Sequence, residues 1–268
     1  TPAQARGILQ HAHAILPAGN IPQAAFYGGS FTAIPVEQQE ELLAVTDEFF
    51  AAGKISSVRI STRPDAIDEE ILSRMKRHHV TVIELGAQSM DDTVLQNARR
   101  GHTAVDTARA ASLIQQAGIS LILQTMAGLP GDTRETVRYT AQCIAALKPD
   151  GVRIYPVAVL PNTPLYDDWQ AGRYQPLDVE TAAVWCADML EIFEREHIPV
   201  IRVGLNPTEE LDSTVAAGAY HPAMGELAYG ELWYRRLRRH IQMTGERTIA
   251  VAPRELSRAI GHKKRTGS

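Results

Sequence analysis

The sequence has only two cysteines in 268 residues, Cys143 and Cys186. They lie far apart and within helical patterns, so they form neither a disulfide framework nor the close spacing of a metal site. No apolar run approaches the roughly 20 residues that a membrane-spanning helix needs. The start at Thr1 has no initiator Met and no signal-peptide pattern. These absences predict no membrane association, a cytoplasmic location and a start that is the cut end of a longer protein.

The sequence also lacks a strong excess of charge and the side-chain groupings of common hydrolases. Its net charge of −4 gives no global attraction to nucleic acid. We find no paired carboxylates, histidine cluster or nucleophile–base pair where strands are predicted to end, which argues against a hydrolytic barrel enzyme. Hydrophobic residues at 44% and charged residues at 22% are ordinary for a globular chain with one large core.

Short β-branched runs alternate with longer stretches of helical period. Strands are predicted at residues 24–27, 57–61, 81–87, 119–125 and 152–157, and helices at 2–16, 35–52, 68–78, 104–118 and 133–147. This alternation indicates repeated βαβ units and a parallel sheet. The predicted fold class is α/β, a partial (β/α) TIM-like barrel over residues 1–177. A C-terminal α/β extension over residues 178–268 follows, with a helix at 179–197, a strand at 199–203, a stretch at 205–221 that is mostly loop, a helix near 222–241, and then a short strand, a turn and a basic tail. Gly118 is a predicted C-cap, Asp132 with Glu135 has capping-box spacing, and His102 after Gly101 is predicted to be a turn or cap residue.

Each predicted strand ends in glycines or polar residues that an apolar core would not need. Each group also has a plain alternative, since paired glycines often form turns and Gln88 and Gln124 could be satisfied core groups. In α/β barrels, however, functional groups lie at the carboxyl ends of the strands, and all these groups fall there. The groups are Tyr27-Gly28-Gly29-Ser30, Ser61-Thr62-Arg63-Pro64-Asp65, Gly86-Ala87-Gln88-Ser89, Gln124 through Gly131 and Arg153-Ile154-Tyr155-Pro156.

In this order the motifs resemble the radical S-adenosylmethionine (SAM) superfamily, in particular the Elp3-like proteins of the Elongator type and the related oxygen-independent coproporphyrinogen oxidases. The resemblance covers roughly residues 1–180. Gly28-Gly29-Ser30 is similar to the GGE-type motif, and residues 61–65 match the Elp3-like STRPD sequence. Gly128 begins a GLP-type motif, and residues 153–156 match the Elp3-like RIYP sequence.

The resemblance implies a binding site for SAM. The backbone at Gly28-Gly29 would hold the SAM amino group, Arg100 would reach its carboxylate, and Gln88 would lie near the cofactor. It assigns no catalytic residue and no metal ligand within this chain. The full set of expected cofactor-binding residues is Gly28, Gly29, Ser30, Ser61, Arg63, Gln88, Arg100, Gln124, Gly128 and Tyr155.

The resemblance further implies a [4Fe–4S] cluster, an electron-donor protein and chemistry through a 5′-deoxyadenosyl radical. The CxxxCxxC loop that would hold the cluster is absent, and we expect it upstream of Thr1 after a first barrel strand that is also missing. The chain alone is therefore expected to be inactive. An alternative from another class is a cluster-free binding module that has lost catalysis.

The substrate suggested by Elp3-like proteins is tRNA. The tail, Ile260-Gly261 followed by residues 262–265, is similar to the phosphate-gripping loop of KH-type RNA-binding modules, although a solvated basic terminus explains it as well. A porphyrinogen-directed oxidase is the alternative, and Ser61 and Gln124 argue against it because those enzymes carry acidic residues there. His221 suggests a metal or acid–base role, or simply a capped helix start at Pro222.

Overall fold

The computed structural model describes residues 1–17, 19–246, 248 and 250–261. Strands and helices alternate through most of these residues, as the sequence predicts. In chain order the elements are α1 (Pro2–Ile15), β1 (Gln23–Phe26), α2 (Val36–Ala51), β2 (Ser57–Thr62), α3 (Glu69–Arg77), β3 (Val80–Gln88), α4 (Asp92–Asn97), α5 (Ala104–Gln116), β4 (Ser120–Ala127), α6 (Arg134–Ala146), β5 (Gly151–Pro156), β6 (Ala158–Val159), α7 (Pro164–Gln170), α8 (Val179–Arg195), β7 (Val200–Val203), α9 (Glu209–Thr214), β8 (Ala217–Gly218), α10 (Met224–Thr244) and α11 (Leu256–Ile260).

Six of the strands form one sheet in the order β1-β2-β3-β4-β5-β7. The pairs β1–β2, β2–β3 and β5–β7 are parallel, with helices in the connections between them. The five predicted barrel strands and the strand predicted at 199–203 are each confirmed to within two residues at their ends. The parallel sheet expected from the alternating pattern is therefore present, and the carboxyl ends of its paired strands lie on the same edge.

The chain divides into two compact units. The first comprises residues 1–87 and 101–124, and the second comprises residues 88–100 and the described part of 125–268. The boundary predicted after residue 177, between the barrel core and the C-terminal extension, stays a prediction. Within the described residues, none of the helices combines the length and apolar composition required to cross a bilayer.

In the first unit, β2 shows why one face of the sheet is polar. Val58 and Ile60 have no exposed surface, whereas Arg59 and Ser61 between them are half-buried. Successive side chains of a strand point to opposite faces, so the sequence Val-Arg-Ile-Ser sends its apolar residues into the core and its polar residues to the other side. The same alternation places Glu84 of β3 level with Ser61 of β2.

Helix starts in both units are fixed by side-chain caps. Thr103 and Asp106 form a capping box at α5, and Gly118 after that helix has a φ of +70°, as its predicted C-cap role requires. The capping box expected from Asp132 and Glu135 is wrong. The α6 cap is formed by Thr133 with Thr136, which leaves the Asp132 carboxylate to bind the preceding loop.

In the second unit, α8 packs against both α6 and α10. Its Asp188 side chain is 1% exposed, yet it accepts hydrogen bonds from Arg134 of α6 and from Arg235 of α10. A buried carboxylate is tolerated only where charged donors replace the water that it loses. One acidic residue therefore joins three helices of this unit.

The C-terminal extension adds detail to the sequence prediction. The stretch 205–221, predicted to be mostly loop, also contains α9 and β8, and β8 pairs antiparallel with β6. The short strand predicted after residue 246 is not found among the described residues there, which form a 3-10 turn and α11, while residues 247 and 249 lie outside the described residues. The helix expected near Pro222 is confirmed and begins at Met224, and His221 Nδ1 accepts the Ala223 N–H at 3.0 Å. The basic residues 262–265 lie outside the described residues.

Candidate functional site

The predicted glycine loop, Gly28-Gly29-Ser30, follows β1 in the first unit. Gly28 has a φ of +101°, and a Cβ added to Gly28 or Gly29 would meet no atom within 4 Å. Both residues are exposed, and Ser30 is half-buried. Backbone groups at such a position are open to a ligand, which is the condition for the expected role in holding the SAM amino group.

The structure brings Ser61 of β2 to this loop. The Ser61 hydroxyl lies 3.2 Å from the carbonyl oxygen of Gly29 and 3.4 Å from that of Phe26, and it donates to them. Ser61 therefore acts on the glycine loop itself. A short hydroxyl therefore suits this position.

Arg63, two residues further along, is fixed on both sides. Its Nε donates to Asp65 Oδ1 at 2.5 Å, and its Nη2 lies 2.7 Å from where a Cβ of Gly101 would stand. Gly101 also has a φ of +73°, so glycine is required there for two separate reasons. The STRPD motif thus uses its aspartate to orient its own arginine.

The end of β3 is held by a buried histidine. His102 is 6% exposed, and its Nε2 lies 3.1 Å from the carbonyl oxygen of Ala87. Since a carbonyl only accepts, Nε2 carries the proton and donates it. The sequence suggested only a turn or cap role for His102, but the N-cap of α5 is Thr103. His102 instead fixes the peptide that leads into Gln88.

Gln88 and Gln124 are placed differently. Gln88 is 4% exposed, belongs to the second unit and has a φ of +66°, which is unusual for a residue with a side chain. Backbone strain of this kind clusters at functional sites. Gln124 belongs to the first unit and is half-buried on β4.

A groove of about 270 Å³ in the second unit contains Arg100 in its wall. This volume is just below the range of about 300–1,000 Å³ that is usual for small-molecule sites. Met126 at the end of β4 and Val157 just after β5 supply apolar surface, and Arg100 supplies a planar set of donors. The groove therefore has an apolar wall against which a flat apolar group can pack. It also has a cation that can bind a carboxylate.

An ion pair between Arg99 and Asp168 also lines the groove. Asp168 of α7 pairs with Arg99 at 3.2 Å and with Arg173 at 2.6 Å. Thr163, the N-cap of α7, also lines the groove. Met126 lies within the strand-end group 124–131 but was not among the expected binding residues. Sequence reasoning missed Val157 and Asp168, because nothing in their local pattern separates them from core or surface positions.

Gly128 begins the loop that forms one border of the groove. Its φ is +91°, and an added Cβ would stand 2.8 Å from Leu177 Cδ1. Its N–H donates to Asp132 Oδ2 at 3.0 Å, and its carbonyl accepts from the Tyr174 hydroxyl at 2.6 Å. The next residues, Leu129 and Pro130, line the groove. The loop is thus held from both sides of one glycine.

Burial raises the pKa of the Asp132 carboxyl, although hydrogen bonds from Thr136 and from the backbone N–H groups of Gly128 and Leu129 act in the opposite direction. Burial also raises the pKa of the Tyr174 hydroxyl, so that it remains a proton donor to Gly128. Tyr155, the last of the expected residues, is half-buried on β5 and accepts from Arg153 Nη1 at 3.3 Å. It is not among the residues that line the groove.

The residues of this chain do not fit an iron–sulfur cluster. Cys143 lies on α6 and Cys186 on α8, as expected, and both are free thiols. Burial raises the pKa of Cys186, which opposes the thiolate that iron requires. Across residues 1–17, 19–246, 248 and 250–261, no group of three or more His, Cys, Asp or Glu side chains is arranged to hold a metal ion.

Comparison with known proteins identifies the fold and the family. The family model described as the radical SAM superfamily matches residues 4–144, more than half of the chain, and the radical SAM C-terminal domain matches residues 149–234. The chain resembles the structure of Methanocaldococcus infernus Elp3 with an N-terminal deletion, with a TM-score of 0.72 and 23% identity over 92% of this chain and 60% of that one. It also resembles Escherichia coli coproporphyrinogen III oxidase, with a TM-score of 0.57 and 15% identity over 72% of this chain and 44% of that one. The expected partial (β/α) barrel fold is confirmed.

Curated relatives support the Elp3-like resemblance. A tRNA uridine(34) acetyltransferase of Methanocaldococcus jannaschii is 36% identical over 126 residues, which cover 46% of this chain and 23% of that protein. Elongator complex protein 3 of Homo sapiens is 27% identical over 225 residues, which cover 76% of this chain and 40% of that protein. The chain therefore spans less than half the length of these relatives.

Proposed function

The chain belongs to the radical SAM superfamily, and on that premise we propose that it supplies the SAM-binding part of a radical SAM enzyme that modifies tRNA. When bound and reduced by one electron, SAM supplies the means to abstract a hydrogen atom from a substrate. The residues of this chain bind and orient SAM.

The observation that carries the proposal is the groove with Arg100 in its wall. Its apolar surface at Met126 and Val157 suits a nucleobase, and the guanidinium suits a carboxylate. SAM carries both groups. The other assignments rest on the family resemblance alone: the backbone of Gly28-Gly29 for the SAM amino group, and Gln88 and Gln124 as donors and acceptors for the ribose or adenosine.

The proposed substrate, tRNA, is supported by the names of the relatives and not by any one side chain. The relative from Methanocaldococcus jannaschii is named a tRNA uridine(34) acetyltransferase. Because tRNA is a polyanion, its binding to the complete protein is expected to weaken as salt concentration rises. Binding that does not change between low and high salt would remove tRNA from the proposal.

The cluster enters the proposal only as a requirement of the family. The two cysteines of this chain do not provide its ligands, and an electron-donor protein is likewise proposed on family grounds. The porphyrinogen alternative gains nothing from the coproporphyrinogen oxidase structure, because a likeness at 15% identity concerns the fold alone.

The first experiment measures SAM affinity in the complete protein by equilibrium dialysis, for the wild type and for Arg100→Ala. A hydrogen bond to a charged group contributes about 1.5–3 kcal/mol, so the dissociation constant should rise by about tenfold or more. Arg195→Ala is the matched control, because Arg195 is 64% exposed and pairs only with the exposed Glu196 in the described residues. Its affinity should equal that of the wild type.

A second measurement separates an enzyme from a cluster-free binding module. The complete protein is reconstituted anaerobically with iron and sulfide and given SAM and a one-electron reductant. Formation of 5′-deoxyadenosine supports the enzyme. Tight SAM binding without any cleavage, in a folded protein, would favour the binding module.

A further inference from the structure

A buried carboxylate lies next to the glycine loop and has no role in the proposed function. Glu84 of β3 is 2% exposed. Its Oε1 accepts the Tyr27 hydroxyl at 2.6 Å and Arg59 Nη1 at 2.7 Å. Arg59 Nε in turn donates to Gln23 Oε1 at 2.8 Å. The polar face of β1, β2 and β3 is thus tied together through one carboxylate oxygen.

Tyr27 is the unusual member of this cluster. It is 55% exposed, and yet its hydroxyl reaches a buried acceptor. Tyr27 immediately precedes Gly28 in the chain. Whatever fixes the Tyr27 side chain therefore also limits the backbone at the start of the glycine loop.

The glycine loop needs such a restraint. Gly28 and Gly29 have no side chains, and the space where a Cβ would stand is open to at least 4 Å at both. Glycine backbones have the greatest conformational freedom in a chain. Their conformation must therefore be set by groups on either side. Ser61 holds the Gly29 carbonyl on one side, and Glu84 holds Tyr27 on the other.

We propose that Glu84 is a positioning residue that orders the glycine loop through Tyr27 and so prepares it to bind the SAM amino group. This inference rests on the proposed function, because it assigns the loop to SAM. A loop ordered before binding loses less conformational entropy when its ligand arrives, and affinity rises accordingly. Arg59 Nη1, 2.7 Å from Glu84 Oε1, holds the carboxylate in place beside Tyr27.

A carboxylate is a costly choice if its purpose is only to join strands. The pair formed by Glu84 and Arg59 is largely withdrawn from water, and such pairs are often no better for stability than apolar residues of the same volume. Charge does offer a stronger acceptor for the Tyr27 hydroxyl. The two explanations differ in what the Tyr27 hydroxyl does, and that difference can be measured.

The test uses Tyr27→Phe in the complete protein labelled with [15N]glycine. The change keeps the ring and removes only the hydroxyl. We expect the NMR order parameters of Gly28 and Gly29 to fall from about 0.85 towards about 0.6, the values of rigid and flexible backbone. Gly118, the C-cap residue of α5, should not change and serves as an internal reference. SAM affinity should weaken between about threefold and about tenfold.

Two further variants complete the design. Glu84→Gln keeps an acceptor for the Tyr27 hydroxyl but removes the charge, so its effects on the glycines and on affinity should be smaller than those of Tyr27→Phe. Tyr139→Phe is the matched control, because Tyr139 is 51% exposed on α6 in the other unit. It should change neither measurement.

Unchanged order parameters at Gly28 and Gly29 in Tyr27→Phe would overturn the inference. The inference would also be overturned if the wild type binds SAM and the Tyr27→Phe variant binds it equally well. Glu84 would then have a purely structural role. If the wild type itself does not bind SAM, the proposed function fails. The purpose assigned to the Glu84–Tyr27 hydrogen bond then fails with it. The order parameters then still show whether Tyr27 holds the loop.

Discussion

Replacing Asp188 with asparagine removes a negative charge that joins α6, α8 and α10. The carboxylate receives Arg134 Nε at 2.5 Å and Nη2 at 2.9 Å, Arg235 Nη1 at 2.6 Å, and Arg138 Nη1 at 3.5 Å. Asparagine has the same shape but only one acceptor oxygen, and its NH₂ group would face a guanidinium. Three cations would then surround a neutral group.

The expected cost follows from burial. Removing one partner of a buried ion pair costs about 3–5 kcal/mol. The Arg134 and Arg138 side chains are 46% and 45% exposed, so water can solvate them after the change. We therefore expect the free energy of unfolding to fall by about 3 kcal/mol, the lower end of this range. With about 2–4 °C per kcal/mol for chains of this size, the melting temperature should fall by about 6–12 °C.

Tryptophan fluorescence is a suitable probe, since Trp185 lies on α8 and Trp233 on α10. Thermal unfolding is followed by fluorescence and by circular dichroism. Glu196→Gln is the matched control, because the Arg195–Glu196 pair is 64% and 48% exposed and such pairs contribute about 0–1 kcal/mol. A loss of less than about 1 kcal/mol for Asp188→Asn would show that the three helices do not depend on this charge.

The same residue predicts a pH dependence. Burial raises the pKa of Asp188, but hydrogen bonds from Arg134 and Arg235 outweigh it and hold the pKa below its usual value. A carboxyl with a lowered folded-state pKa contributes its stability above the unfolded value of about 3.9 and loses it as pH falls further. The stability difference between wild type and Asp188→Asn should therefore be constant near neutral pH and shrink below about pH 3.9. A difference that grows on acidification would contradict this assignment.

Three further changes test the loops and caps around the groove. Gly128→Ala should cost about 2 kcal/mol in thermal unfolding and weaken SAM binding, because its φ is +91° and its new Cβ would approach Leu177; full stability would show that the loop adapts. Tyr174→Phe should cost about 1–2 kcal/mol by leaving the buried Gly128 carbonyl without its donor, and an unchanged melting temperature would count against that bond. Thr103→Ala should lower the free energy of unfolding by about 1 kcal/mol, because it removes the cap that pairs with Asp106. The conformation of Gly101 and the SAM affinity should not change.

Much of the fold was predictable because its signals are local. Residues within a few positions of each other specify a strand buried on one or both faces, or a helix with its caps. All five predicted barrel strands were accordingly found in place. The elements that were missed are short. α4, α7 and α9 have six or seven residues each, too few to show a helical period.

The motifs likewise pointed to the residues at the strand ends, but not to their partners. Ser61 and Gly128 were expected to bind the cofactor themselves. Ser61 donates to the Gly29 carbonyl, and Gly128 is held by Tyr174, 46 residues away in the chain. No local pattern marks Tyr174 as a loop anchor, because the pairing exists only once the chain has folded.

The sequence alone determined the parallel α/β fold, the family and the lack of cluster ligands among its two cysteines, because each depends on residue type and order. Only the tertiary structure decided that Glu84 meets Tyr27, that Asp188 gathers three arginines, and that Arg100 lies in the same groove as Met126. The physical reason is distance. Periodicity and capping act over a few residues, whereas buried charges and ligand grooves are formed by side chains that folding brings together from remote parts of the chain.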